Sequence, residues 1–187
     1  MFDYEKAPYL ELKDYPAPNG IKSFFVPMKD SKKIRLAYWK HLSKETPCRG
    51  TILLQQGHNE FIEKYFETIQ ELIDRNFDVV CFDWRGQGMS DRMINNVNKS
   101  YIDDFSIHDK DLNFIIQNII INNFTAPLIG IGHSMGGHIL LSSQELIKDS
   151  FKAIMLSAPM LGFKNENLLF SLIYIMNLFG KDEKYFP

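Results

Sequence analysis

The sequence predicts an α/β protein with a mostly parallel sheet of about six strands and helices on both faces. Short apolar runs alternate with longer segments of helical apolar spacing from residue 51 onward. Glycine-rich turns follow several of the apolar runs, as at 85–88 and 130–137. Because parallel neighbouring strands need a crossover connection, this alternation favours a parallel sheet with flanking helices.

The elements follow in order along the chain. Residues 1–20 contain three prolines and Gly20 and predict an irregular N-terminal arm. Residues 23–27 and 34–41 resemble a hairpin around the turn at Asp30. Further strands are predicted at 51–55, 77–82, 127–132 and 151–157, and helices at 60–76, 102–122, 135–148 and 167–179.

Composition is that of an ordinary globular protein. The formal net charge of −2 gives no electrostatic argument for a nucleic-acid partner. Residues 1–6 lack a basic segment followed by an apolar one, and the apolar stretch 168–179 is too short to cross a bilayer. Cys48 and Cys81 show no metal or redox spacing, and Cys81 is expected to be buried. We therefore expect a cytoplasmic protein without a disulfide.

The segment most informative about chemistry is Gly132-His133-Ser134-Met135-Gly136. It follows an apolar strand, opens a helix and fits the G-x-S-x-G nucleophile elbow. In such an elbow the serine hydroxyl projects above the sheet, which predicts Ser134 as a nucleophile. The backbone N–H of Met135 opens the helix and is predicted to face a developing oxyanion.

A second segment, residues 55–60, follows the third predicted strand. This loop is expected to give the other oxyanion donor, the backbone N–H of His58. A plain strand-to-helix turn with Asn59 as a helix cap is the alternative. Glu60 is a candidate substrate-binding residue, and orienting the loop or capping the helix are alternatives for its carboxylate.

A third segment, residues 82–90, contains Asp83 and Arg85 between aromatic and glycine residues. Both side chains are expected to brace the loop through hydrogen bonds and ion pairs rather than to take part in catalysis.

Together these segments resemble an α/β-hydrolase of the lysophospholipase and monoacylglycerol lipase group, the serine aminopeptidase S33-like family. The resemblance rests on residues 56–61 with Tyr65, 83–88, 132–137 and 156–161, and it covers about residues 20–187. It is strongest to bacterial lysophospholipase L2-like proteins. It implies an acyl-enzyme on Ser134, the amides of His58 and Met135 as the oxyanion hole, a small lipid or ester substrate, and no cofactor or metal.

The resemblance also implies an acid and a histidine after the serine, and His138 is the only histidine there. Two more βα units would need about 60 residues. We therefore expect residues 1–187 to form a single incomplete hydrolase domain, with 162–187 beginning a helical cap and little activity in this chain alone.

The other four histidines are expected to pack, to line the elbow or to lie at the surface rather than to act as the catalytic base. His138 is expected to pack against the sheet, and His133 to line the elbow as a second candidate substrate-binding residue. His108 and His41 are expected at the surface, and the five histidines show no metal spacing.

Three functional alternatives stay open. The serine ester hydrolase competes with a non-catalytic half-fold that binds a partner, and with an aminopeptidase or small-ester esterase on the same scaffold. The apolar helix at 167–179 would pack against further cap helices, or line an acyl pocket and touch a membrane surface. The oligomeric state is not predicted.

Overall fold

The computed structural model describes residues 3–11, 13–96 and 98–162. The predicted final helix and the start of the cap lie outside these residues. Within them, six strands form one sheet. They are β1 Lys22–Pro27, β2 Lys33–Trp39, β3 Thr51–Gln55, β4 Asp78–Phe82, β5 Leu128–His133 and β6 Ala153–Ser157.

The strand order across the sheet is β1-β2-β4-β3-β5-β6. β1 and β2 pair as the predicted antiparallel hairpin, and β2 pairs antiparallel with β4. The pairs β3–β4, β3–β5 and β5–β6 are parallel. The prediction of a six-stranded, mostly parallel sheet is therefore confirmed.

Helices connect the parallel strands, as the apolar spacing predicts. After β3 a 3₁₀ turn leads into α1, and after β4 the helix α2 continues through a π turn into α3. The helix predicted at 135–148 is divided at Ser143 into α4 and α5. The bounds are Ile62–Tyr65 for the 3₁₀ turn, Phe66–Asp74 for α1, Ser106–Ile115 for α2, Ile116–Ile120 for the π turn, Ile121–Asn123 for α3, Met135–Ser142 for α4 and Gln144–Ile147 for α5.

Alternate residues of the central strands enter two separate hydrophobic cores. In β4, Val80 and Phe82 join the core that contains α2 and α4, whereas Val79 and Cys81 join the core that contains α1. Successive side chains of a strand point to opposite faces of a sheet. Both faces of the sheet are therefore covered, which explains why every residue of β3 and β4 is buried.

The N-terminal arm extends the sheet beyond β1. The Phe25 amide donates to the Glu5 carbonyl at 2.8 Å, and the Ala7 amide donates to the Ser23 carbonyl at 3.1 Å. Further along the arm, the carbonyl of Pro18 accepts a hydrogen bond from the buried indole of Trp39. These bonds partner part of the edge of β1, which would otherwise present unpaired backbone groups.

His108 is buried, so the expectation that it lies at the surface was wrong. It shares one stripe of α2 with Leu112 and Ile115, and 3% of its surface is exposed. Its ring lies between Trp84 and Phe105, with centroid distances of 5.4 and 5.1 Å. The helical period explains the burial, because positions i, i+4 and i+7 face the same side.

Burial lowers the pKa of His108 to about 4, an effect that Arg85 strengthens and Asp109 opposes. Among the described residues its Nδ1 has no hydrogen-bond partner. The folded chain therefore favours the neutral imidazole.

Of the described residues, none belongs to a helix long and apolar enough to span a membrane.

His108→Phe is expected to reduce the loss of stability in acid. The unfolded chain binds a proton at His108 near its ordinary pKa of 6.5, whereas the folded chain resists it down to about 4. In the original chain this histidine therefore lowers the unfolding free energy as pH falls from about 6.5, by about 3 kcal/mol at pH 4. Urea titrations at pH 7 and pH 4 measure the difference, with His41→Phe, at a half-buried site, as control. Equal pH dependence of His108→Phe and the original chain would contradict this account.

Candidate active site

The elbow predicted at residues 132–136 is present between β5 and α4. Ser134 has φ 48° and ψ −114°, which is backbone that a residue other than glycine rarely adopts. A Cβ on Gly132 would lie 2.7 Å from the Cα of Gly137, and one on Gly136 would lie 2.6 Å from the carbonyl oxygen of Gln55. Glycine at both positions is therefore required by the close approach of α4 to the sheet.

Backbone hydrogen bonds hold the elbow from both sides. The Ser134 amide donates to the Ser157 carbonyl at the end of β6, at 3.0 Å. The Ser134 carbonyl accepts from the amides of Met160 and His138, at 3.0 and 3.1 Å. Met135 is the first residue of α4. Its N–H therefore belongs to the positive end of the helix, as the sequence predicts.

Residues 56–60, called here the 56–60 loop, lie directly against the elbow. A Cβ on Gly57 would lie 3.1 Å from the Cβ of Ser134 and 3.3 Å from the ring of His133. The structure thus brings together the segments that carry Ser134, His58 and Met135. His58 itself is exposed.

Glu60 directs its carboxylate into the 56–60 loop. Its Oε2 accepts hydrogen bonds from the Gly57 amide at 2.7 Å and from the Tyr65 hydroxyl at 2.6 Å, and its Oε1 accepts from Lys64. Burial alone would raise the pKa of Glu60, but these three donors outweigh it and lower the pKa. Orientation of the loop, one of the alternatives from the sequence, is the role that these contacts fit.

Asp83 holds the two ends of the 56–60 loop through hydrogen bonds to Gln56 and to Ile62, which follows the loop. It is fully buried and accepts hydrogen bonds from Arg35 Nε at 2.7 Å and from the Ile62 amide at 3.0 Å. It also accepts from the Met89 amide at 2.7 Å and the Gln56 side chain at 3.3 Å. Burial raises the pKa of the Asp83 carboxyl, and the Arg35 guanidinium counters that effect.

Arg85 braces the opposite side of the same turn. Its Nε and Nη2 donate to both carboxylate oxygens of Asp111 at 2.8 and 2.9 Å, and its Nη1 pairs with Asp30. The prediction that Asp83 and Arg85 support the loop is therefore confirmed. Arg35, which has 1% of its surface exposed, was missed because no motif marks an arginine within a hairpin strand.

Gln87 is a second residue that the sequence did not single out. It lies in the turn after β4, has 3% of its surface exposed, and its Oε1 accepts a hydrogen bond from the Asn59 amide. Asn59 itself has a left-handed φ of 56°. The turn after β4 and the 56–60 loop are thus joined directly.

The other two histidines with predicted positions, His133 and His138, lie on either side of Ser134 in the chain. His133 ends β5 and is half-buried. The ring of His138 packs against Phe105, the residue before α2, with centroids 5.4 Å apart. Within the described part of the chain, no three histidine, cysteine or acidic side chains are placed to hold a metal ion.

A cavity of about 250 Å³ opens beside the 56–60 loop. Asn59, Glu60 and Phe61 form one wall, and the turn that contains Gln87 forms another with Arg92. Both walls carry polar groups, so a polar part of a ligand fits there better than an acyl chain.

Gly136→Ala is expected to destabilise the chain by about 1–3 kcal/mol although alanine is the better helix former. The added methyl would meet two backbone carbonyl oxygens at 2.6 Å, which cannot move without displacing β3. Gly137→Ala is the matched control in the same helix, since its methyl would lie 3.1 Å from its nearest neighbours. Thermal unfolding of both variants measures the difference, and an equal loss in the two would contradict the close approach at Gly136.

Comparison with known proteins places the chain in a family. The profile of the family described as serine aminopeptidase, S33, matches residues 46–181. A probable lysophospholipase L2 from Haemophilus influenzae is 28% identical over 158 residues, covering 82% of this chain and 49% of that protein. A monoacylglycerol lipase from Mycolicibacterium smegmatis is 27% identical, covering 67% of this chain and 43% of that protein. The chain thus spans about half the length of the curated relatives it matches.

Solved structures show the same fold. A thermostable carboxyl esterase from Bacillus coagulans superposes with a TM-score of 0.71 at 17% identity, covering 90% of this chain and 54% of that one. A monoglyceride lipase from Saccharomyces cerevisiae superposes with a TM-score of 0.67 at 22% identity, covering 95% of this chain and 56% of that one. The chain therefore belongs to the serine aminopeptidase S33 family and has the α/β-hydrolase fold.

Proposed function

We propose that the chain belongs to a serine carboxylic-ester hydrolase that works through an acyl-enzyme on Ser134. The observation that carries this proposal is the backbone of Ser134, held at φ 48° in the turn between β5 and α4. Strained backbone of this kind is concentrated at functional sites. The 56–60 loop lies against the same residue, so the segment proposed to carry the second oxyanion donor adjoins the proposed nucleophile.

In the proposed reaction, the Ser134 Oγ attacks the carbonyl carbon of the ester while its proton passes to a histidine base. The carbonyl oxygen becomes an oxyanion and accepts hydrogen bonds from the amides of His58 and Met135. Collapse of the intermediate breaks the bond to the alcohol, which takes the proton from the histidine, and leaves the acyl group on Oγ. A water molecule then repeats the sequence and releases the acid.

Two of the described histidines have surroundings that do not suit the role of this base. His138 is the last histidine of the 187 residues, and its ring packs against Phe105. His108 is buried in the core between two aromatic rings. We therefore propose neither His138 nor His108 as the base.

The proposed substrates are lysophospholipids or monoacylglycerols. The support comes from relatives that bear the names lysophospholipase L2 and monoacylglycerol lipase. The cavity beside the 56–60 loop offers polar side chains, among them Asn59, Glu60 and Arg92, that suit a polar headgroup or glycerol. An aminopeptidase or small-ester esterase on this scaffold is the competing assignment.

A fluorophosphonate probe tests the nucleophile. We expect the probe to modify Ser134 of the 187-residue chain slowly, and 100 mM imidazole in the buffer to accelerate the modification by acting as a general base. Intact-protein mass spectrometry measures the extent, and peptide mapping locates the site. Ser134→Ala should abolish labelling, and Ser157→Ala, at the end of β6, is the control that should retain it. Equal labelling of Ser134→Ala and the original chain would contradict the assignment.

A substrate panel tests the specificity. In the presence of imidazole we expect fatty acid release from a lysophosphatidylcholine and a monoacylglycerol to exceed cleavage of alanine p-nitroanilide. Free fatty acid and p-nitroaniline are quantified in parallel, with Ser134→Ala as the blank for each substrate. Faster cleavage of the anilide would favour the aminopeptidase instead.

A further inference from the structure

The backbone amides of the 56–60 loop are held on either side of His58. The Gly57 amide donates to Glu60 Oε2 at 2.7 Å, and the Asn59 amide donates to Gln87 Oε1. We infer that Gln87 is a positioning residue, which fixes the direction of the His58 N–H by holding the Asn59 amide. This inference rests on the proposed function, in which the His58 amide stabilises the oxyanion.

Planar peptide bonds transmit this restraint to the His58 N–H. The His58 N–H belongs to the peptide unit between Gly57 and His58. Glu60 fixes the unit before it and Gln87 fixes the unit after it. Each peptide unit is planar, so the Gly57–His58 unit can turn only by rotation about the backbone bonds of Gly57 and His58. The peptide units on either side of these two residues are the ones that Glu60 and Gln87 hold. Gln87 and Glu60 therefore restrict the His58 N–H without touching it.

The conformation of Asn59 shows why an acceptor is needed. Its left-handed φ of 56° costs about 1 kcal/mol relative to extended or helical backbone. The partly buried hydrogen bond from its amide to Gln87 contributes free energy of about the same size. Without the Gln87 oxygen, nothing among the described contacts of the Asn59 amide would offset that cost, and the unit after His58 would be free to turn.

Gln87 is itself held firmly enough to act in this way. Its amide donates to the Trp84 carbonyl at 2.9 Å, and its carbonyl accepts from the Ser90 amide at 3.1 Å. The next residue, Gly88, has φ 49°, and a Cβ there would lie only 2.1 Å from the carboxylate of Asp83. The turn therefore wraps closely around a buried carboxylate, which holds the backbone from which the Gln87 side chain extends.

Loosening the His58 N–H should affect the transition state more than the bound substrate. An ester in its ground state makes little use of an oxyanion donor, whereas the tetrahedral intermediate needs it. Removing one such donor outright lowers kcat about 10²- to 10³-fold, so loosening it should cost less. We expect Gln87→Met, which keeps the length of the side chain and removes its acceptor, to lower kcat about 10-fold with KM changed less than twofold.

Amide hydrogen exchange of the 187-residue chain, followed by NMR, tests the inference independently of activity. In the original chain we expect protection of the Gly57 and Asn59 amides and fast exchange at His58. Gln87→Met should lose protection at Asn59 and leave the amides of β3 and β4 protected. Gln87→Glu, which keeps an acceptor, should restore protection at Asn59. Gln70→Met is the matched control, because Gln70 bonds to Asp74 on the exposed side of α1.

The outcomes separate the inference from the proposed function. Unchanged protection of Asn59 in Gln87→Met would overturn the inference, as would a loss of protection throughout β3 and β4. Hydrolysis of p-nitrophenyl butyrate with imidazole gives kcat and KM for the same variants, and a rise in KM with unchanged kcat would also overturn it. An original chain that is neither labelled at Ser134 nor active contradicts the proposed function, whereas the exchange pattern still decides the role of Gln87 in holding the loop.

Discussion

The ion pair between Arg35 and Asp83 is the contact on which the geometry around Ser134 depends. Both side chains are almost completely buried, with exposed fractions of 1% and 0%. Removing two charges from water is costly, and such a pair is stable only when further hydrogen bonds satisfy it. Here Asp83 receives four donors, and the remaining guanidinium nitrogens of Arg35 form a bidentate pair with Glu63. The pair therefore joins β2, the turn after β4 and the segment that follows the 56–60 loop.

This arrangement makes the N-terminal arm part of the support. The Pro8 carbonyl accepts from Arg35 Nη1 at 3.3 Å, and the Leu10 amide donates to Glu63 at 3.1 Å. The hydrogen bonds of the arm to β1 hold these contacts in place. The N-terminal arm, which the sequence predicts to be irregular, thus adds hydrogen-bond partners to the buried groups of Arg35 and Glu63. These partners lower the free-energy cost of burying the charges.

The sequence predicts the fold and the elbow, but it does not reveal the contact made by Gln87 or the burial of His108. Strand and helix positions follow from apolar periodicity, and the elbow follows from the glycines that a close approach of helix and strand requires. Gln87 could not be found in this way, because a hydrogen bond between the turn after β4 and the 56–60 loop leaves no periodic signal. Histidine as a residue type predicts a surface position for His108, whereas the apolar stripe of α2 that contains Leu112 and Ile115 includes it.

The two halves of the proposed chemistry have different structural origins. The proposed oxyanion donors depend on backbone geometry, which strands β3 to β5, the elbow and the buried pair at Asp83 provide together. The proposed base is instead a single side chain, whose position does not depend on that backbone geometry. Oxyanion stabilisation and binding alone leave about a 10³- to 10⁴-fold rate over water when a triad member is absent. A scaffold that holds the His58 amide rigidly would therefore retain that part of the rate enhancement, and a base supplied in solution or by another segment would act on a site that is already organised.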